Sequence, residues 1–172
     1  MEDIENPYWT DLNNVHQDVF WNWKTISEEG KRFVKNEHKK FDLAGKIVKL
    51  DAIIDDVLNK LKNEKYECKE ELINNITEKK KLLKNLLDNY NDAKEKYLQY
   101  DEFYSNLFCS YLLRYADVYF MGEEARFTAI MNNIQTLLRD KFFDFSQSYF
   151  TIRNSFFEAN NYIIKVRKLF NF

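Results

Sequence analysis

Apolar residues recur along this chain at alternating steps of three and four, the period that lines side chains up on one face of an α-helix. The clearest run is Leu43, Ile47, Leu50, Ile54, Val57 and Leu61. A second runs through Leu72, Ile76, Leu83, Leu86, Tyr90, Ala93, Tyr97, Tyr100, Tyr104, Leu107, Tyr111 and Val118, with Lys79 and Arg114 in the two missing steps. A third comprises Leu138, Phe142, Phe145, Tyr149, Ile152, Phe156, Ala159, Ile163, Val166 and Phe170. Residues that break helices are scarce: one proline, Pro7, and three glycines, Gly30, Gly45 and Gly122. Neither type occurs from Glu70 to Met121 or from Glu123 to Phe172, so both stretches predict very long helices.

The pattern predicts an all-α fold, an elongated antiparallel bundle of three long heptad-patterned helices plus a short N-terminal helix. Thr10 or Asp11 caps the short helix, which runs to about Lys24 with Leu12, Val15, Val19, Phe20 and Trp23 on one side. Ser27, followed by Glu28 and Glu29, is the next N-cap signal, and its segment extends to about Glu64 with a bend at Gly45. Lys62 to Lys69 turns the chain, and Gly122 stops the second long helix. The expected division is residues 1–27 as an aromatic-rich N-terminal segment and residues 28–172 as one bundle domain. At about 1.5 Å per residue, each of the last two helices would measure roughly 70 Å if unbroken.

Two files add to the seams. Tyr90, Tyr97, Tyr104 and Tyr111 stand one heptad apart, and so do Phe143, Phe150, Phe157 and Ile164. A two-stranded coiled coil buries two positions in seven, so a helix carrying a second apolar file must meet more than one neighbour. With 15 Phe and 11 Tyr the chain has more aromatic area than a simple rod needs. Buried phenols also require hydrogen-bond partners. Tyr90, Tyr97, Tyr104, Tyr111, Phe143, Phe150 and Phe157 are therefore candidates for contact with a protein partner, above all a second copy.

Charge narrows the partners. A formal net charge of −2 gives no general field for nucleic acid or for an anionic membrane. A local basic cluster, Lys79, Lys80, Lys81 and Lys84, is a candidate contact for an anion or a lipid headgroup, and equally reads as a solvated helix face. The apolar stretch from Phe103 to Met121 is interrupted by Arg114 and Asp117, which argues against a transmembrane segment. The acidic start lacks the features of a secretion signal, and two cysteines, Cys68 and Cys109, make no disulfide framework. These features predict a cytoplasmic protein.

Candidate chemistry is sparse. Neither His16 nor His38 follows a glutamate by three residues, so the paired Glu-x-x-His arrangement of a di-iron bundle is missing. There is no zinc-finger spacing, phosphate loop, dinucleotide fingerprint or nucleophile elbow. No cofactor or metal is expected, and the leading expectation is a non-enzymatic helical scaffold or protein-interaction module. A small inhibitor or effector that docks on a larger protein would carry the same pattern.

Three local or architectural likenesses supply alternatives. Arg32 and His38, six apart on a helical segment, resemble over those seven residues the Arg-x(4–6)-His element of the HEPN ribonucleases. That resemblance implies metal-independent RNA cleavage, with His38 as acid or base and Arg32 stabilising phosphate charge. The same stretch also reads as a solvated basic face of Lys31, Arg32, Lys35, Lys39 and Lys40. Three long helices over roughly residues 28–170 resemble the architecture of a BAR domain, which implies a dimer on anionic membranes. Trp9, Thr10, Asp11 and Leu12 follow acidic residues and resemble the aromatic-x-x-aliphatic motifs that bind autophagy ubiquitin-like proteins. Trp9, Leu12, Trp21 and Trp23 are thus a candidate docking segment, and alternatively a staple onto the bundle.

Overall fold

A computed structural model describes residues 7–65, 67, 69–113 and 124–172, with side chains from Trp23 onward except at 38, 111–113, 124 and 127. Among the described residues there are four helices and no strand: α1 (Pro7–Lys40), α2 (Leu43–Leu61), α3 (Lys69–Leu113) and α4 (Glu124–Phe170). The all-α expectation holds, and none of these helices is long and apolar enough to cross a membrane. The Gly122 stop lies outside the described residues.

The first break falls elsewhere than the sequence suggests. α1 continues through Thr25, Ile26 and Ser27 and ends only at Lys40. Ser27 is no cap: it is buried, and its hydroxyl donates to Asp101 on α3 at 2.8 Å. The cap is Asp42, whose left-handed backbone (φ 51°, ψ 65°) turns the chain and whose Oδ1 accepts from the Gly45 N–H at 3.1 Å. Asp tolerates this conformation better than most residues because its short side chain bonds locally. Gly45 therefore sits in the first turn of α2, against the Asp42 carboxylate, rather than at a bend within a helix. At the far end, Asn171 (φ 55°) is left-handed and the Phe172 N–H reaches the Arg167 carbonyl at 2.9 Å. This closes α4 with the paired bonds of a Schellman cap, and Arg167 and Lys168 favour that terminus electrostatically.

Contacts group the chain into two units. The first joins α1 up to Val34, α3 from Glu95 and α4 up to Phe145. Trp23 stacks on Phe108, with ring centroids 4.8 Å apart. Phe33 meets Phe142 and Phe145 edge-on, and the same two rings flank Tyr97 at 5.7 and 5.4 Å. As numbers rise along α3 they fall along its partners, so α3 runs antiparallel to both α1 and α4.

The second unit holds Lys35–Lys94 and Ser146–Phe172. Here every member of the α2 seam is buried, from Leu43 to Leu61. Ile76, Leu83, Leu86 and Tyr90 face it from α3, and Tyr149, Ile152, Phe156, Ala159, Ile163 and Val166 complete the core from α4. Tyr90 and Tyr149 lie 6.1 Å apart, and Lys79 sits over the Tyr162 ring, again the pairing of antiparallel helices.

Gly30 explains why the first unit closes so tightly. A methyl group built there would overlap the Tyr97 hydroxyl and stand 2.7 Å from the ring carbon that bears it. Helix propensity alone favours alanine over glycine by roughly 1 kcal/mol. Overpacking a core costs about 1–3 kcal/mol and should win here, since Tyr97 is 1% exposed and boxed in by Phe142 and Phe145. Gly30→Ala is expected to lower stability in urea unfolding. Tyr97→Phe should be close to neutral, because that hydroxyl has no hydrogen-bond partner among the described residues. In the Tyr97→Phe background Gly30→Ala should cost less, and a stabilising Gly30→Ala in the parent protein would contradict this packing account.

Candidate functional site

The predicted tyrosine file is divided by the fold. Tyr90 and Tyr97 are core residues, 3% and 1% exposed, and their partners are rings of this same chain. Tyr104 is half-buried, stacked with Tyr100 and met edge-on by Phe103. The Tyr111 side chain lies outside the described residues, as do those of Trp9, Leu12, Trp21 and His38. Trp23 is half-buried and stacked on Phe108. Arg32 is exposed.

Around Tyr97 the α3 seam changes its occupants. Asp101 is buried at 2% exposure, while Tyr100, the seam residue the heptad expects, is 38% exposed under the ammonium of Lys141. The Asp101 carboxylate is satisfied across the helices by Ser27 Oγ and by Lys31 Nζ at 3.2 Å. A buried carboxylate stripped of such partners is strongly destabilising, so Ser27 and Lys31 are what permit it. No His, Cys, Asp and Glu cluster able to hold a metal occurs among the described residues. The Ser27–Asp101 pair tethers α1 to α3, the serine hydroxyl donating to the carboxylate.

The second unit splits the lysine cluster three ways. Lys79 lies over the Tyr162 ring at 5.2 Å, and Lys80 is bound to Asp55 of α2, the hydrogen bond chiefly holding its pKa above the ordinary value. Lys81 and Lys84 remain exposed on the lip of a cavity of about 450 Å³ between α2 and α3. Its floor is apolar, formed by Ile47, Val48, Leu83 and Leu87, with Asp51 and Thr77 at the edge. Sequence spacing located the lysines but not the groove, because the groove depends on which α2 residues stand opposite.

The phenylalanine file is on the outside. Phe150, Phe157 and Ile164 of the second unit are 45%, 36% and 40% exposed, and Phe143 of the first is 58% exposed. Phe157 is met edge-on by Phe41, and the Arg153 guanidinium stands 4.5 Å from the Phe41 centroid and 5.4 Å from that of Phe157. This cation–π cluster fixes the inner edge of the file. It was invisible in the heptad pattern because Phe41 belongs to the segment that breaks from helix.

Compared with known protein families, with curated proteins and with solved structures, the chain matches none.

Three buried phenols give the bundle an alkaline limit. Burial, then the charges of Glu37 and Asp42, raise Tyr90 above the ordinary phenol value of 10.0. Burial and the Asp101 charge raise Tyr97 strongly, and burial with a hydrogen bond to Glu37 does the same for Tyr149. A phenol with a raised folded pKa contributes stability that is whole below about pH 10 and drains away as pH climbs toward the folded value. Absorbance titration of tyrosinate in the native protein should show these three silent until alkaline unfolding begins. All eleven phenols titrating near pH 10 in a still-helical protein would contradict their burial.

Proposed function

We propose that this chain is a non-enzymatic helical interaction module that self-associates through the exposed aromatic face of α4. The observation that carries the reading is the file Phe143, Phe150, Phe157 and Ile164, apolar at one-heptad spacing and 36–58% exposed. Single exposed apolar residues are ordinary on soluble proteins, but a periodic file is the form in which one helix offers itself to another. Covering the exposed half of such side chains yields roughly half of the ~1.5–3 kcal/mol of full burial. Two copies contribute eight of them, so the gain is about 6–12 kcal/mol against an association cost of ~4–15 kcal/mol. Gain and cost are of the same order, so the association is expected to depend on protein concentration.

Light scattering and sedimentation between about 1 and 100 μM should show monomer passing to dimer, a range in which a micromolar association is visible. Phe150→Glu with Phe157→Glu should leave the helical circular dichroism unchanged and abolish the dimer. A parent protein that stays monomeric throughout would overturn the reading.

A second reading, peripheral contact with an anionic membrane, draws on Lys81 and Lys84 above the apolar α2–α3 groove, beside Val48 at 57% exposure. Vesicles rich in phosphatidylserine should then pull down the protein at low salt and release it as salt rises. Lys81→Glu with Lys84→Glu should abolish sedimentation with the vesicles. Binding unaffected by either salt or these substitutions would reject the lysine contact.

A further inference from the structure

We propose that the dimer forms by antiparallel pairing of α4 with α4 of a second copy, centred on Asn154. The proposal rests on the self-association reading and adds its direction and register. Along the helix, the exposed face between the phenylalanine file and the outer flank carries Asp140, Asp144, Gln147, Asn154, Glu158, Asn161, Lys165 and Lys168. Two of its acids, Asp140 and Asp144, lie toward the N-terminal end and its lysines, Lys165 and Lys168, toward the C-terminal end, while Glu158 stands near the centre, where antiparallel pairing would set it opposite Thr151. None of Asp140, Asp144, Lys165 and Lys168 is paired within the chain by an ion pair or hydrogen bond among the described residues.

This polarity makes the face self-complementary in one direction only. Antiparallel pairing about Asn154 sets Phe143 against Ile164 and Phe150 against Phe157, so the whole apolar file is covered by its own copy. The same register brings Asp140 to Lys168 and Asp144 to Lys165, each pair formed twice by the two-fold axis, and Asn154 to Asn154 at the centre, where two amides can exchange hydrogen bonds. Parallel pairing would also stack apolar on apolar, but it would set Asp144 on Asp144 and Lys165 on Lys165. Like charges held face to face are what exclude a wrong partner or orientation.

The other flank does not decide the direction. It carries Arg139, Arg153 and Arg167, basic throughout, and the central one is drawn over the Phe41 ring. Direction is therefore set on the Asp144–Lys165 side, and the file of rings supplies the affinity.

Cysteine trapping in the full chain tests the register, with Cys68 and Cys109 first replaced by serine. Asp144→Cys mixed with Lys165→Cys should form a disulfide-linked dimer of the two variants on mild oxidation, while Asp144→Cys alone should not. Charge provides an independent arm: Lys165→Glu with Lys168→Glu should weaken the dimer roughly tenfold to a hundredfold, since each of four exposed pairs is worth a few tenths to one kcal/mol. Adding Asp140→Lys and Asp144→Lys should restore it. A dimer in which Asp144→Cys links to itself, or in which the reversed charges fail to restore association, would overturn the antiparallel register and leave self-association standing. A parent protein without any dimer would remove both.

Discussion

The close approach of α1 to α3 in the first unit depends on the absence of a side chain at Gly30. The Tyr97 hydroxyl occupies the space a methyl group would take, and its ring then lies between Phe142 and Phe145 of α4. One bare backbone position on one helix thus seats an aromatic ring from a second against two rings from a third. The hydroxyl has no hydrogen-bond partner among the described residues, so the arrangement is held by shape and by the apolar area of the ring. Asp101, one turn further along α3, can be buried only because the same approach brings Ser27 and Lys31 to it.

The parts of the fold that follow from periodicity were legible in the sequence, and the parts that follow from a single residue's backbone were not. The α2 seam and nearly all of the α4 seam are buried as their spacing implies, because burying a stripe is what the spacing is for. The first helix break was misplaced since Ser27 and the two glutamates after it mimic a cap, whereas Asp42 acts through a left-handed backbone that composition does not announce. On α3 the heptad pointed to Tyr100 where the fold buries Asp101, and a pattern of apolar letters has no way to register a buried carboxylate whose partners lie on another helix. Among the candidate contacts, the tyrosine and phenylalanine files had the same spacing. Which of the two is enclosed depends on the rotation of each helix about its axis, and that is decided by the neighbours.

The surface chemistry follows from the same division. Four lysines close in sequence meet three different surroundings, because successive residues on a helix point about 100° apart. One lies on an aromatic ring, one is held by a carboxylate, and two remain at the rim of an apolar groove. A cluster of like charges in sequence is therefore not a patch in space, and of the four only Lys81 and Lys84 are exposed.

The Asp42 turn also sets the phase of the helices on either side of it. In α1 the buried steps are Ser27, Gly30 and Val34, and in α2 they begin at Leu43, nine residues beyond Val34. Nine residues in an uninterrupted helix amount to two and a half turns, which would point Val34 and Leu43 in opposite directions. The break at Asp42 frees the α2 stripe from the phase that an uninterrupted α1 would impose on it, so the orientation of α2 is set by its own neighbours within the second unit.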